Sequence, residues 1–432
     1  LLLKQFCNQF SAKKAAAGWF SCGRVPMIKK WIRFACFCAL FLLLFMWGNH
    51  AYSIALSSWK DLPKIPRDSL DVIFIGNSHS MTGFQPRIVN DLLHINTYSF
   101  GSPGETVFIS YYELREILKT QKPDLIVLES FTVNLTDLYI PPVIFHFTDS
   151  TFVNQNSLPI LTRYLDLDNL YTAFPLMHQP IDWNHPEDFL DKFSDALPFT
   201  IEPIDPSLGF ISTKSMLLKQ ELENARLEIE ADSKMPLDEN LAYLEKFIQL
   251  SGQKGIPVLF TTIPPVKIFG ERFNYYVPFD AQTYAAEHQL DYFEVDTTQM
   301  TELHRFDPGH LNDFGSIDAS IQIAQQIGQL LGKPVDQEQL NFYRSYLFDN
   351  YELKNSGDHF TFTLFPLDRS APLEYRYTIK DYPSRQVIST TDWQTDPVFP
   401  FDLAKGQDLF LDVEVRVLGS DFTLAGELVV IN

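Results

Sequence analysis

A short apolar run that stops at a glycine and then presents a serine constrains this chain most. Asp71-Val72-Ile73-Phe74-Ile75 has the length and β-branched content of a buried strand. Gly76-Asn77-Ser78-His79-Ser80 follows, and Met81 to Leu93 then carries helical apolar spacing. A strand that turns through glycine into a helix opens an α/β unit. A serine at that turn lies at the helix N-terminus, where backbone N–H groups can stabilise an oxyanion.

The alternation continues along the chain. Ile95 to Phe100 reads as a second strand, ending in Gly101-Ser102-Pro103-Gly104, with a helix from Glu105 to about Lys119. Asp124 to Leu128 is a nearly continuous apolar strand, of the kind found inside parallel sheets. Ile256 to Thr261 and Leu290 to Val295 are strands four and five. Leu311 to Leu331 is the closing helix, stopped by Gly332 and Pro334. The expected fold class is α/β, a parallel five-strand sheet with helices on both faces.

An insertion over residues 132–236 separates strands three and four. It is rich in aromatics and prolines (Tyr139, Pro141, Pro142, Phe145, His146, Phe147, Trp183), with a helix expected over Lys214 to Asp232. The helix after it carries Leu237, Leu241, Leu244 and Ile248 as a buried stripe. An insertion at the carboxyl end of a strand emerges on the ligand-binding face of such sheets. It reads equally as a lid or recognition region and as packing.

Beyond about Phe348 the periodicity changes to two. His359 to Leu364 and Leu411 to Val417 alternate, and Glu374 to Ile379 and Glu427 to Ile431 are further strands. This predicts a small antiparallel β-sandwich over 349–432, separate from an α/β domain over 65–335 that holds its own core.

The N-terminus reads differently. Residues 1–26 match no domain pattern and are expected to be upstream sequence, with Met27 as the start. In residues 27–56, Lys29, Lys30 and Arg33 precede a 14-residue apolar run, Phe34 to Trp47. A bilayer span needs roughly 20 residues. Apolar character resumes over Ala51 to Leu56, which makes one span containing Gly48-Asn49-His50. An uncleaved anchor is the preferred reading over a removed signal peptide. Both place the body outside the cytoplasm, because basic residues stay inside.

A net charge of -20 argues against nucleic acid as a partner. The four cysteines, Cys7, Cys22, Cys36 and Cys38, all precede the body, which therefore holds no disulfide and no cysteine metal site. This suits an exported bacterial protein.

A serine hydroxyl needs a base to take its proton, and a carboxylate to orient a histidine base. Asp307-Pro308-Gly309-His310 supplies both, with Pro-Gly turning the loop. Ser78 is then the candidate nucleophile, His310 the base and Asp307 the orienter. Other readings stay open: Ser78 as a helix cap, and His304, Asp307 and His310 as metal ligands. His79 reads as a pocket-wall or surface residue, and Asn312 and Asp313 as caps of the closing helix. Ser80 stands where the second glycine of a Gly-x-Ser-x-Gly elbow would be, so that elbow is absent.

Gly76-Asn77-Ser78 after strand one, with Asp307-x-x-His310 before the last helix, resembles the SGNH (GDSL) hydrolase superfamily. More narrowly it resembles the membrane-anchored, envelope-facing branch that includes alginate O-acetylation and lipoteichoic-acid D-alanylation proteins. The resemblance covers about residues 68–333. It implies a flavodoxin-like three-layer sandwich with strand order 2-1-3-4-5. It implies ester hydrolysis or acyl transfer through an acyl-serine, without a metal or cofactor. The implied oxyanion donors are the serine's own N–H, Gly101 or Gly104, and an asparagine after strand three, for which Asn134 is the candidate. The chain departs from the family by Asn77 before the serine and by Glu129-Ser130-Phe131-Thr132-Val133-Asn134 in place of Gly-x-Asn-Asp. The implied substrate is an acylated envelope glycan or a small acyl ester, and a multi-span acyltransferase is the implied partner. The alternative is a non-catalytic scaffold of the same shape that binds polysaccharide or such a partner.

Overall fold

A computed structural model describes residues 25–135, 141–151, 153–178, 191–192, 203–217, 237–265, 279–382 and 384–430. Tyr139, Trp183 and the expected helix beyond Leu217 lie outside the described residues. The chain divides into two compact units, residues 1–52 with 181–197, and residues 53–180 with 198–432.

In the first unit, helix α1 (Val25–Ala51) contains a 23-residue stretch, Lys29–Ala51, whose most apolar 18-residue window has mean hydropathy 1.9. At 1.5 Å per residue the stretch is about 35 Å long, enough to cross a hydrocarbon core of about 30 Å. The helix continues through Gly48-Asn49-His50, and Asn49 Nδ2 donates to the Phe45 carbonyl at 2.8 Å, one turn back. That bond lets an amide sit in an apolar helix. The helix stops at Ala51, short of the Leu56 expected from composition.

Ser53 to Leu56 begins the second unit. Ile54 N–H donates to Asp149 Oδ2 at 2.9 Å, and Leu56 N–H to the His146 carbonyl at 3.2 Å. Ile54 and Leu56 are apolar because they pack on the core of the body.

The body is built on five parallel strands: β1 (Val72–Ile75), β2 (Thr97–Ser99), β3 (Leu125–Glu129), β4 (Val258–Thr262) and β5 (Asp291–Glu294). Their order is β2-β1-β3-β4-β5. Both faces of β1 and β3 are buried, which is why these strands lack polar alternation. Val72, Phe74, Leu125 and Val127 join one apolar cluster; Ile73, Ile75, Ile126 and Leu128 join the other. Four further helices position the site: α2 (Ser78–Gly83), α3 (Pro86–Leu93), α4 (Val107–Ile117) and, in the insertion, α5 (Pro141–Thr151). Two more flank the sheet later in the chain, α6 (Leu237–Lys254) and α7 (Ala281–Glu287), and α8 (Asp313–Leu331) closes the domain. α3 and α8 cover the first face; α4 and α6 cover the second. This is the three-layer flavodoxin-like arrangement with the strand order of SGNH hydrolases. The strand order reverses at β1, so ligands are expected beyond its carboxyl end.

The first two described helices of the insertion, α5 and Ser157–Tyr164, pack as core, while the single turn Leu170–Ala173 buries no residue. Ile144, Phe145, Phe147, Ile160 and Leu161 are buried in the cluster that holds Trp59 and Phe100.

The C-terminal region forms two antiparallel sheets, β10-β7-β6 and β12-β11-β8-β9. β6 is Phe348–Ser356, β7 His359–Pro366, β8 Leu373–Asp381, β9 Val387–Thr390, β10 Val398–Asp402, β11 Leu409–Val417 and β12 Thr423–Val430. Phe360, Phe362 and Leu364 point inward, as do Tyr375, Tyr377 and Ile379. β6, β9 and β10 escaped period-two reading. β9 is exposed at every position, β10 carries Pro400, and β6 is irregular between Phe348 and Asn350. One apolar cluster runs from Val72 to Val430 without a break at residue 348. Gly426 makes this close packing possible: a Cβ there would lie 2.7 Å from the Phe314 ring on α8. Met216 N–H donates to the Glu427 carbonyl at 2.7 Å, and Glu427 N–H to the Lys214 carbonyl at 2.7 Å.

Candidate active site

The end of β1 and the start of α2 are shaped by close approach. A Cβ on Gly76 would lie 2.7 Å from Glu129 Cβ and 3.0 Å from Ser80 Cβ, so only glycine lets β1 and β3 end side by side. Asn77 caps α2, its Oδ1 accepting the His79 N–H at 2.9 Å. Ser78 is the first residue of the helix and half-exposed.

The partner loop is equally tight. Arg305 and Leu311 pair as an isolated antiparallel bridge, which makes residues 306–310 a short excursion. His310 Nε2 lies 2.6 Å from Ser78 Oγ. His310 Nδ1 lies 2.9 Å from both oxygens of Asp307. With Nδ1–H donated to the carboxylate, Nε2 is left to accept the serine proton. Asp307 Oδ1 also accepts the N–H groups of Gly309 at 2.7 Å and His310 at 2.9 Å. Burial by itself would raise the pKa of Asp307. The His310 ring and these N–H groups outweigh it and hold the carboxyl below its usual range. Phe306 stacks on His310 with centroids 5.1 Å apart. Ser78, His310 and Asp307 thus form a hydrogen-bonded relay.

The oxyanion candidates separate. Gly101 lies against the first turn of α2: a Cβ there would meet Met81 N at 3.0 Å and Asn77 O at 3.2 Å. Its neighbour Ser102 donates N–H to the Gly76 carbonyl at 3.0 Å, which ties the loop to the nucleophile turn. Gly104 has a left-handed backbone, φ 66°, and serves the turn into α4. Asn134 ends the single turn Phe131–Asn134, and among the described residues no hydrogen bond connects it to Ser78, Asp307 or His310.

Sequence reasoning missed several residues here. Ser102 Oγ pairs with His146 Nδ1 of α5 at 3.3 Å, so the insertion reaches the Gly101 loop. His79 is no surface group: it is buried, stacked on Phe131 at 4.2 Å and edge-on to His310 at 4.9 Å. Glu129, wholly buried, and Arg305, 2 % exposed, also border this cluster. Burial lowers Arg305 to about 10, and Asp307 acts the other way. An acid or arginine at the end of an apolar strand or beside a catalytic loop is the only sequence signal they give.

His304 does not join Asp307 and His310. Its Nδ1 accepts the Thr301 N–H at 3.0 Å and its Nε2 donates to the Phe348 carbonyl at 3.0 Å. Both nitrogens are engaged by backbone, which stitches the loop to β6. Asn312 caps α8 by accepting the N–H groups of Phe314 and Gly315, as expected, while Asp313 accepts from Ser212 Oγ and Thr213 N–H.

No family model matches the chain, and no curated protein matches it. Among solved structures, it is similar to an acylhydrolase from Bacteroides fragilis, at 12 % identity and a TM-score of 0.31, over 63 % of this chain and 94 % of that one. It is also similar to a GDSL-like lipase from Bacteroides thetaiotaomicron, at 11 % identity and a TM-score of 0.32, over 63 % and 95 %. The SGNH-like fold rests on the strand order and on the relay across it.

The buried His304 has a pH consequence. Burial lowers its pKa to about 4, with Arg305 acting the same way and its backbone bonds opposing. Below about 6.5 the unfolded chain takes a proton that the folded chain refuses until about 4, so stability falls as pH falls through that window. Replacing it, His304→Gln, is expected to shrink the loss of unfolding free energy between pH 7 and pH 4.5 by about 2 kcal/mol. Urea unfolding at the two pH values measures this; an unchanged loss would contradict it.

Proposed function

We propose that this protein is a serine ester hydrolase or O-acyltransferase that works through an acyl-Ser78 intermediate on acyl esters of a cell-envelope glycan. The observation that carries the reading is the relay of Ser78 Oγ, His310 and Asp307, with contacts of 2.6 and 2.9 Å. His310 Nε2 takes the hydroxyl proton as Ser78 Oγ attacks the ester carbonyl. Asp307 holds the ring and stabilises the imidazolium. The N–H groups of Ser78 and Gly101 are the assigned donors for the oxyanion. His310 then returns the proton to the leaving alcohol, and the acyl-serine passes to water or to a second hydroxyl by the same steps in reverse. Glycan substrates and a multi-span acyltransferase partner follow from the family resemblance, and the acidic charge is compatible with them.

α1 serves as the anchor, and Lys29, Lys30 and Arg33 at its start favour an extracytoplasmic body. A reporter that is active only outside the cytoplasm, fused after the last residue, is expected to be active. Activity from a cytoplasm-only reporter at that site would reverse the topology.

The chemistry predicts reaction of the full chain with a serine-directed fluorophosphonate at one residue. Ser78→Ala is expected to abolish labelling, His310→Ala to lower its rate by several orders of magnitude, and Asp307→Asn by less. Unchanged labelling of Ser78→Ala would place the nucleophile elsewhere. A folded wild type that neither labels nor cleaves acetyl esters would favour the scaffold role.

A further inference from the structure

Two buried side chains outside the relay stand directly behind its base. Glu129 ends β3 and is wholly buried. Its side chain occupies the space that a Cβ on Gly76 would need. Glu129 Oε2 accepts the Phe131 N–H at 3.1 Å. Glu129 Oε1 and His79 Nδ1 face each other at 3.9 Å, and neither makes a hydrogen bond of ordinary length, although the Ile263 backbone lies beside both groups. The His79 ring stacks on Phe131 at 4.2 Å and meets the His310 ring in a T-shaped contact at 4.9 Å and 80°.

The charges around this pair decide its state. Arg305 and Asp307 come from the same loop as His310, and Glu129 comes from β3. A charged His79 would add a second cation beside Arg305 and oppose a third on His310 at the moment His310 takes the serine proton. An ionised Glu129 would be a wholly buried carboxylate with no cation in direct hydrogen-bond contact, a state that burial strongly disfavours. Consistent with this, burial holds His79 well below its ordinary pKa, with His310 and Arg305 acting the same way. Burial likewise holds Glu129 well above its ordinary value, against backbone hydrogen bonds.

We infer that His79 and Glu129 are positioning residues for His310: an uncharged pair in which Glu129 backs the His79 ring, and that ring fixes the plane of the base while leaving it free to accept a proton. Neither touches the reacting atoms. The inference rests on the acyl-Ser78 reading for its effect on rate, and on the local packing alone for its effect on geometry and charge. It also explains Gly76 as the residue that lets Glu129 pass beneath the nucleophile turn.

The test uses the full chain in detergent, with p-nitrophenyl acetate as substrate and thermal melts to verify folding. Removing the ring, His79→Ala, is expected to lower kcat by about 10- to 100-fold with KM within about threefold. Keeping a ring, His79→Phe, is expected to restore at least about tenfold of that loss. Truncating the backing group, Glu129→Ala, is expected to lower kcat by about 3- to 10-fold, and the neutral isostere Glu129→Gln to restore most of that loss and leave the basic-group limb of the kcat/KM pH profile in place. A His79→Ala enzyme with wild-type kcat, a His79→Phe enzyme no better than His79→Ala, or a Glu129→Gln limb displaced by more than about half a pH unit would overturn the inference. A wild type inert toward both ester and fluorophosphonate would refute the acyl-serine reading instead. The pair would then be tested by side-chain NMR of histidine-labelled protein, in which His79 is expected to stay neutral through the range where an ordinary histidine takes up its proton. A His79 that titrates near its ordinary value of about 6.5 would overturn the pair on its own.

Discussion

A single hydrogen bond, from Ser78 to His310, joins residues 232 positions apart, and the architecture is what makes it. Neither side chain can be placed by its neighbours in sequence. Ser78 is fixed by β1, which is fixed between β2 and β3; His310 is fixed by the loop that enters α8, which packs on the same sheet. The cost of bringing such distant groups together is met by burial of two apolar faces, not by the polar contact itself. The relay therefore reports on the whole sheet. Anything that loosens β1 against β3, above all a side chain at Gly76, would separate serine from base.

The α/β core was legible because its strands are extreme. Val72 to Ile75 and Leu125 to Leu128 are buried on both faces, and that forces continuous apolar sequence. The Asp307–His310 loop was legible by its place: an acid three residues before a histidine is a weak signal alone and gains weight only ahead of the closing helix, with Ser78 after strand one. The parts that stayed hidden involve surroundings, not spacing. His79 read as a pocket-wall or surface residue, and nothing in sequence chooses between the two by saying that Phe131 will cover it. Glu129 ends an apolar strand, where an acid reads as the start of a loop. In the β region, inward alternation announced β7, β8 and β11, while solvent-exposed β9 and proline-bearing β10 gave no pattern to read.

The β sheets also show how periodicity and packing differ. Sequence period changes at about residue 348, yet the core does not. Phe314 of α8 meets Phe348 of β6 at 5.5 Å, and Tyr346 Oη donates to the Phe422 carbonyl at 2.8 Å. His304, one element before the relay, donates to Phe348. The loop that carries Asp307 and His310 is thus braced from the β side as well as from α8. The C-terminal sheets support the site at a distance, whatever they bind.

Whether Ser78 carries the acyl group decides between catalysis and a scaffold role. The direct measurement is acid quenching of the full chain during turnover of p-nitrophenyl acetate, followed by peptide mass spectrometry. An acetyl group on the peptide that contains Ser78, formed within the first turnover and lost on further incubation, is the predicted result. Turnover with no acetyl on Ser78, or with acetyl accumulating on another residue, would contradict it.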